Sequence, residues 1–432
     1  MERENEGESV LAERREEEMN MEYLRTDRLY ETDSYCIEFE ASVVVCYPAE
    51  TIYEEWRDVE EDEKKQSPAW AVALDRTAFF PEGGGQGADT GWFIKEGERY
   101  AVYDVQIIQD VVYHLTNLNV QPGDQIQGKI DWDQRFSNMQ QHSGEHIFSG
   151  LVYRHFGYHN VGFHLGSAAV TMDFDGGLTE EYVERLEWEA NEAIVKNVPI
   201  TVSYPSQKEL SVLNYRSKKE IEGQVRIVTI EGYDVCACCA PHVTRTGEIG
   251  LLKVIGQEKY KGGIRISILC GFRALQDYRR KQKEGHAIST LLSAPQDHIA
   301  EAVEQKLEEN TAQRQKIYEL NRRLIEEKIE SIPQGKKSIW FYEGEMEAGV
   351  MRKTVNLALE RVERYAGIFC GDDEQGYRYI IGAKRGDARE VAAFLKERLH
   401  ARGGGSKEMV QGQVKASRQE IETVLSRTFF EP

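Results

Sequence analysis

Two histidines one helical turn apart are the first residues in this sequence whose type and spacing could perform chemistry. His142 and His146 lie in the segment His-Ser-Gly-Glu-His, inside a stretch from about 133 to 155 where apolar residues recur at helical spacing. Residues four apart lie on one face of a helix, so the two imidazoles can hold one metal ion. A helix can equally carry two histidines for packing or solvation, and this pair alone does not decide between the two.

A second pair of ligand-type residues favours metal binding. Cys238 and His242 are separated by three residues and follow a predicted strand over 224–230. Taken alone, Cys238 would be a small buried side chain and His242 a turn histidine. Three imidazoles and one thiolate, however, form a tetrahedral ligand set that suits Zn2+. The two pairs together predict one Zn2+ per chain, held by His142, His146, Cys238 and His242.

A glycine-rich stretch earlier in the chain, 77–91, offers a place where a ligand can approach the backbone. Three consecutive glycines begin at Gly83, and Gln86 and Asp89 provide polar side chains beside them. The spacing matches neither a P-loop nor a dinucleotide fingerprint, which disfavours a nucleotide-phosphate cradle. Without further information the stretch is better interpreted as a tight, capped turn.

Composition limits the partners and the compartment. The formal charge is −20 over 432 residues, which argues against a broad, non-specific grip on nucleic acid but is compatible with local basic patches. The seven cysteines, three of them within 236–239, are typical of thiols and metal ligands and not of a disulfide framework. No apolar run reaches the length of a membrane span, and the first residues are acidic, so we expect a soluble, cytoplasmic protein with no membrane partner.

The order of periodic segments predicts an α+β multidomain chain. An acidic N-terminal extension (1–22) precedes a β-rich, barrel-like domain (23–132), in which short strands are separated by turn residues. Both ligand pairs fall in an α+β domain (133–273), which combines the histidine helix with an amphipathic helix over 179–195 and several strands.

The last third of the chain has a different pattern. Residues 274–333 are charged and carry an imperfect apolar stripe, which predicts a helical connector, either an αα hairpin or a coiled coil, that acts as a lever or as the seam of a homodimer. Residues 334–432 alternate predicted strands with helices over 348–364 and 387–400, which is typical of a small α/β domain, a second place for a homodimer contact. Its glycine-rich segment, 403–413, is equally compatible with a flexible loop.

These motifs, in this order, resemble a known family. The two ligand pairs are preceded by Phe-Phe-Pro-Glu-Gly-Gly-Gly-Gln at 79–86 and followed by Thr-Gly-Glu-Ile-Gly at 246–250. Over residues 23–275 the pattern is similar to the editing domain of alanyl-tRNA synthetase, and more closely to the free-standing alanyl-tRNA editing proteins of the long AlaX form. The glycine-rich end resembles the C-terminal domain that alanyl-tRNA synthetases share with some DHH-type phosphoesterases.

The sequence departs from the family at one place. The common family form of the second ligand motif is Cys-Gly-Gly-Thr-His, whereas here Cys239, Ala240 and Pro241 stand between the ligands. Both ligand positions are kept, but no threonine hydroxyl is available at the third intervening position. The additional thiols of Cys236 and Cys239 could compete for the metal or be oxidised.

The resemblance implies an ATP-independent hydrolase that cleaves the ester between the amino acid and the terminal ribose of mischarged tRNA(Ala), chiefly tRNA(Ala) charged with serine and secondarily with glycine. Zn2+ would polarise the ester carbonyl, anchor the aminoacyl end or activate a water. Glu145 is the candidate general base, the alternative being an exposed helix carboxylate. The residues matched to the substrate pocket are Thr77, Gly84, Gly85, Gln86 and His164, and those matched to tRNA contacts are Arg402, Lys407 and Lys415.

Two other classes of protein fit part of the pattern. His-x-x-Glu-His at 142–146 also satisfies the inverzincin metalloprotease signature. That class, however, needs a downstream carboxylate ligand and assigns no role to Cys238 and His242. A non-catalytic, zinc-containing tRNA-binding protein would close all four ligands around the metal and would need no pocket beside it. The sequence as a whole favours the hydrolase.

Overall fold

A closed barrel forms the first part of the chain. The computed structural model describes residues 26–52, 69–217, 223–333 and 335–429, and the predicted extension 1–22 lies outside them. In chain order, the first elements are β1 (Asp27–Arg28), α1 (Leu29–Thr32), β2 (Glu38–Pro48), α2 (Ala49–Ile52), β3 (Trp70–Leu74), β4 (Arg76–Thr77), β5 (Gly91–Lys95), β6 (Glu98–Ile108), β7 (Val111–Thr116) and β8 (Gln125–Ile130). The barrel strands pair antiparallel in the order β2-β3-β7-β6-β5-β8, which confirms the predicted barrel.

The barrel encloses one buried imidazole among apolar side chains. His114 on β7 packs edge-on against Phe79, with 5.4 Å between the ring centroids. Its Nδ1 lies 2.9 Å from the carbonyl oxygen of Val72, so this nitrogen carries the proton and donates it. Its Nε2 then accepts a hydrogen bond from the hydroxyl of Thr77 at 2.7 Å. The ring is satisfied in its neutral form, and burial lowers its pKa to about 4.

One long helix, α3 (Trp132–Phe156), organises the α+β domain that follows. The other elements of this part are β9 (Asn160–Leu165), β10 (Val170–Phe174), α4 (Glu180–Lys196), β11 (Ile200–Ser203), α5 (Gln207–Leu210), β12 (Ile227–Ile230), β13 (Asp234–Ala237), a 3-10 turn (Thr246–Ile249), β14 (Leu252–Tyr260) and β15 (Gly263–Cys270). The strands form a four-stranded sheet, β14-β15-β10-β9, and a three-stranded sheet, β11-β12-β13. Because α4 and strands of both sheets pack against α3, the helix is buried from Asn138 through Val152.

The capping residues explain where α3 begins and ends. The Asp131 side chain accepts a hydrogen bond from the backbone N–H of Gln134 and so satisfies one unpaired donor of the first turn. Gly157 ends the helix in the left-handed region at φ 70°, where glycine carries no steric penalty.

The chain divides into two compact units, Met1–Glu284 and Gly285–Pro432. The helices and strands of the last third are α6 (Gly271–Leu292), α7 (Ile299–Glu330), β16 (Lys336–Glu343), α8 (Ala348–Arg361), β17 (Val362–Asp372), β18 (Gly376–Ala383), α9 (Ala388–Leu399), β19 (Arg402–Gly405), β20 (Met409–Val414) and α10 (Arg418–Phe429). In the second unit, the sheet β16-β17-β18-β20-β19 packs α7 and α8 on one face and α9 and α10 on the other. The α+β class is confirmed. In the described ranges, no helix is both long and apolar enough to cross a membrane.

The structure differs from the sequence-based elements in three places. The residue pattern also predicts a helix over 207–215, which in the structure is a single turn, Gln207–Leu210. The helix expected over 348–364 ends at Arg361 because Val362 is buried and already pairs with Lys336 in the sheet. The glycine-rich segment is not a loop: it forms an antiparallel hairpin of β19 and β20. A Cβ on Gly403 would lie 2.4 Å from the carbonyl oxygen of Gln411, so the close pairing requires glycine there.

The buried imidazole predicts a pH dependence of stability. Between pH 6.5 and about 4 the unfolded chain binds a proton at His114 that the folded chain does not, so acidification across this window should remove about 3 kcal/mol of stability. We expect the free energy of unfolding of wild type relative to His114→Gln to fall as the pH is lowered from 7 to 4 in urea denaturation. His286→Gln, which changes an exposed imidazole, is the control. A pH-independent difference for His114→Gln would contradict the assignment.

Candidate metal centre

The four predicted ligands come from one helix and one distant loop. His142 and His146 lie on consecutive turns of α3, Cys238 follows directly after β13, and His242 lies in the loop that leads to the 3-10 turn. Their ligand atoms all lie within 4.8 Å of one another. The three imidazoles are buried and the thiol is half-buried. The structure therefore brings the whole predicted set together.

The distances between ligand atoms fit a tetrahedral ion. Sγ of Cys238 lies 3.6 Å from Nε2 of His142 and 3.4 Å from Nε2 of His242. Ordinary zinc–nitrogen and zinc–sulfur bond lengths in a tetrahedral site separate nitrogen and sulfur by about 3.6 Å. The residues present are therefore of the right type and spacing for a divalent ion such as Zn2+.

Each imidazole is oriented through the nitrogen that faces away from the cluster. The Nδ1 atoms have partners from three separate places in the fold: Gln86 Oε1 for His142 at 2.8 Å, Asp234 Oδ2 for His146 at 2.8 Å, and Ser143 Oγ for His242 at 3.0 Å. When Nδ1 carries the proton and donates it, Nε2 keeps its lone pair for a metal. All three rings can thus present Nε2 to one point.

The partners of the three Nδ1 atoms form an outer layer around the ligands, and Asp234 is its charged member. Arg216 donates to both of its carboxylate oxygens, from Nε at 2.7 Å and from Nη2 at 2.8 Å. Burial opposes ionisation, but the hydrogen bonds from His146 and Arg216 outweigh it and lower the pKa of Asp234. Gly150 on α3 makes this approach feasible because a Cβ there would lie 2.3 Å from the carbonyl oxygen of Tyr233.

The glycine-rich loop supplies a wall next to the cluster. Gly84 and Gly85 have φ values of 62° and 84°, and a Cβ on Gly85 would lie 2.5 Å from the carbonyl oxygen of Phe163. The carbonyl of Gly85 accepts the backbone N–H of Leu165 at 2.7 Å, which joins the loop to β9. Only glycine fits this position, so the stretch is more than a capped turn: it is docked against the strand beside the histidines.

A buried ion pair anchors the same loop to α3. Asp89 and Arg135 are both essentially inaccessible to solvent, and Nε of Arg135 lies 2.9 Å from Oδ2 of Asp89. Asp89 also accepts the backbone N–H of Phe80 at 2.7 Å, and Arg135 donates to the carbonyl oxygens of Ser34 and Ala78. Because both charges are paired and hydrogen-bonded, removal of one partner would be costly.

The protonation states of the free ligands follow from burial. Burial raises the pKa of the Cys238 thiol, and the neighbouring thiols of Cys239 and Cys236 raise it further. Burial also lowers the pKa of His242 well below its ordinary value, with the charges of His146 and His142 in the same direction. The imidazole is therefore already in the neutral form that ligates metals, whereas Cys238 must release a proton when a metal binds.

A cleft of about 890 Å³ opens onto the cluster. His142, His146 and Cys238 line its floor, Gly84 and Gly85 one side, and Phe163 another. The ring of Phe163 lies against that of His142, with 4.8 Å between the centroids and an angle of 39° between the ring planes. The volume lies within the range of small-ligand sites, so the ligand cluster is accessible to a substrate.

The remaining predicted pocket residues have different positions. Gln86 is buried behind His142 and orients it. Thr77 is buried in the barrel against His114, and neither it nor His164, which is exposed on β9, lines this cleft. The structure places Phe163, the residue before His164, against the ligands instead, because successive residues of a strand face opposite sides.

Glu145 is buried and directed toward the ligand cluster. Its Oε1 accepts hydrogen bonds from Ser149 at 2.7 Å and Asn160 at 2.6 Å. Its Oε2 lies 3.9 Å from Nε2 of His146. Since only 1% of Glu145 is exposed, it is not the solvated helix carboxylate of the alternative interpretation.

The predicted tRNA contacts lie in the second unit. Arg402 is on β19, Lys407 is in the turn of the hairpin, and Lys415 follows β20; all three are exposed.

Comparisons with known proteins agree with the motifs. Residues 1–134 match the family described as tRNA synthetases class II (A), and residues 225–267, which include Cys238 and His242, match the threonyl and alanyl tRNA synthetase second additional domain. Alanyl-tRNA editing protein Aarsd1 of Rattus norvegicus is 28% identical over 92% of this chain and 97% of its own. Alanyl-tRNA editing protein AlaX-L of Pyrococcus horikoshii is 25% identical over 91% and 96%. The resemblance to the alanyl-tRNA editing proteins is confirmed.

The similarity extends to longer proteins. Alanine–tRNA ligase of Pyrococcus abyssi is 27% identical over 97% of this chain but only 46% of its own length, so the chain corresponds to about half of that enzyme. The crystal structure of the C-Ala domain of Aquifex aeolicus alanyl-tRNA synthetase matches 23% of this chain and 97% of that domain, at 19% identity and a TM-score of 0.21, which is too low to support a fold assignment.

Sequence reasoning named the four residues that the structure brings together, and Gln86, but not the other side chains that hold the imidazoles. Asp234, Arg216 and Ser143 were missed because nothing in their local spacing marks them. Ser143 lies between the two histidines of α3 and would have been the easiest to find.

The outer layer predicts that metal affinity depends on Asp234. In Asp234→Asn the charge that faces His146 and Arg216 is lost, and we expect zinc affinity to fall about 10- to 100-fold, as measured by competition with a chromophoric chelator. Asp173→Asn is the matched control, because Asp173 also accepts two hydrogen bonds from one arginine, Arg265, at 2.6 and 2.9 Å. Equal affinities in the two variants would contradict a role for Asp234 in the site.

Proposed function

We propose that this protein is a trans-editing hydrolase that deacylates mischarged tRNA(Ala), chiefly Ser-tRNA(Ala) and secondarily Gly-tRNA(Ala), at a zinc site. One Zn2+ per chain would be held by His142, His146, Cys238 and His242. The observation that carries the proposal is the convergence of these four ligand atoms within 4.8 Å at the floor of a cleft, in a chain that is similar to alanyl-tRNA editing proteins over most of its length.

A separate editing site has a clear physical purpose. A synthetic pocket shaped for alanine cannot strongly reject serine, which differs by one hydroxyl, so discrimination by binding alone is limited to roughly a hundredfold. A second site that accepts the wrong amino acid and hydrolyses its ester removes the error.

Hydrolysis adds water to the ester carbonyl, breaks the bond between the carbonyl carbon and the ribose oxygen, and returns a proton to that oxygen. Zn2+ would supply Lewis-acid polarisation of the carbonyl. Glu145 is the proposed general base, which would take the proton from water and deliver it to the ribose. Its proposed role rests on the 3.9 Å separation between Oε2 and Nε2 of His146.

The backbone of the glycine-rich loop and the imidazoles would position the ester. Gly84 leaves the main chain open toward the cleft, and Gln86 fixes the ring of His142 through its hydrogen bond to Nδ1. Phe163 lies against the same ring at the wall of the cleft. In the second unit, the exposed cations Arg402, Lys407 and Lys415 are proposed to contact tRNA phosphates. They would provide local attraction despite the net negative charge of the chain.

Self-association is a further part of the proposal. Helix α7 exposes several large apolar side chains, which would be covered in a homodimer formed through the connector: Val303, Leu307, Ile317, Leu320 and Leu324.

The alternatives are less well supported. A metalloprotease with the His-x-x-Glu-His signature needs a carboxylate as its third ligand, whereas the carboxylate of Asp234, which contacts His146, is hydrogen-bonded to Nδ1 of that ring and to Arg216. A purely structural zinc site in a non-catalytic tRNA-binding protein would need no cleft of about 890 Å³ beside its ligands.

The first test is deacylation of purified Ser-tRNA(Ala) beside Ala-tRNA(Ala), with zinc content determined on each protein. We expect wild type to hydrolyse the seryl ester about a hundredfold faster than the alanyl ester. Cys238→Ala should lose zinc and at least about a hundredfold in rate, because polarisation by the metal contributes several kcal/mol.

Cys46→Ala, which removes a half-buried thiol of the barrel, is the control and should retain both zinc and rate. A folded, zinc-loaded wild type that leaves both esters intact would refute the editing function and favour a structural or binding role.

A further inference from the structure

Arg226 is a buried cation next to the metal-ligand loop, just before β12. Only 7% of it is exposed, and it lines the cleft beside Cys238. A guanidinium removed from water in this way needs strong hydrogen-bond partners. Its partners are unusual because they are main-chain carbonyls of the ligand loop itself.

The arginine contacts the loop from two sides of the ligand. Its backbone carbonyl accepts the N–H of Cys238 at 3.1 Å. Its Nη1 donates to the carbonyl oxygen of Cys238 at 2.8 Å and to that of Ala240 at 3.0 Å. Three hydrogen bonds to one residue therefore fix the main chain on both sides of the Cα of Cys238 and again at Ala240.

The segment around the thiol lies outside regular secondary structure. Cys238 lies beyond the last ladder pair of β13, in which Ala237 pairs with Ile227, and the next regular element is the 3-10 turn at Thr246–Ile249. The carbonyl of Ala240 belongs to a residue with no exposed surface, so it requires a donor. One Nη atom of arginine carries two N–H groups and can donate to two carbonyl oxygens at the end of a long side chain.

We infer that Arg226 is a positioning residue that holds the Cys238–Ala240 main chain so that Sγ of Cys238 points at the three imidazole Nε2 atoms. The inference rests on the metal site of the proposed function and adds a residue that neither the motifs nor the ligand set identify. Arg226 acts through Cys238 and contributes no ligand atom.

The test uses the full-length protein loaded with Co2+ or Zn2+. Arg226→Met keeps much of the side-chain volume and removes both donors, whereas Arg226→Lys keeps the charge and loses the planar pair of donors. Arg154→Met is the matched control, because Nη1 of Arg154 donates to a backbone carbonyl, that of Gly232, at 2.7 Å in the same unit without contact to a ligand. Zinc affinity is measured by chelator competition, and the thiolate-to-cobalt absorption band reports on the Cys238 bond.

We expect Arg226→Met to lose about 10- to 100-fold in zinc affinity and to weaken the thiolate-to-cobalt band, with Arg226→Lys intermediate and Arg154→Met unchanged. Wild-type affinity and band intensity in Arg226→Met, or equal losses in Arg154→Met, would overturn the inference. If Arg226→Met does not fold, the comparison of Arg226→Lys with Arg154→Lys decides by the same criteria. A wild type without any thiolate-to-cobalt band would instead refute the metal site, independently of Arg226.

Discussion

Three buried imidazoles can bind one metal ion only if each directs its Nε2 atom toward the same point. This requirement links the barrel, α3 and the three-stranded sheet of the first unit. A buried ring nitrogen needs a hydrogen-bond partner, and here each Nδ1 finds its acceptor in a different place: the barrel loop, α3 and β13. The ligand set is therefore complete only when the barrel loop and the three-stranded sheet are both docked on the helix. We therefore expect folding of the unit and metal affinity to be coupled.

The same requirement explains why α3 is enclosed on every side. An amphipathic surface helix would leave half of its polar residues in water, whereas α3 buries Gln140 and Gln141 and pairs them with main chain. The amide of Gln141 exchanges two hydrogen bonds with the backbone of Cys270, and Gln140 donates to the carbonyl of Glu248. Gly144 allows this contact, since a Cβ there would lie 2.3 Å from Sγ of Cys270. Directional hydrogen bonds fix the helix position more closely than apolar packing alone would.

The sequence could predict features that depend on residues close together in the chain, but not those that depend on contacts between distant residues. The ligands were predictable because i, i+4 spacing on a helix and a short loop are local patterns, and the barrel because its strands alternate with turn residues. Asp234 and Arg226 were not predictable, because their roles depend on pairings across the sheet that no local spacing encodes. The burial of Glu145 also escaped prediction, since it depends on Asn160 and β9 covering α3. The β19–β20 hairpin was missed because glycine has low strand propensity.

The departure of the ligand loop from the common family form has a physical consequence for Cys238. Two glycines between the ligands would leave the main chain many conformations, and ordering them on metal binding would cost conformational entropy. Here Ala240 and Pro241 restrict the unbound loop, and Arg226 holds the carbonyls of Cys238 and Ala240. Cys238 is also the least enclosed of the four ligands and borders the cleft. The loop is therefore restrained where Cys238 borders the cleft, the side from which a substrate would approach under the proposed function.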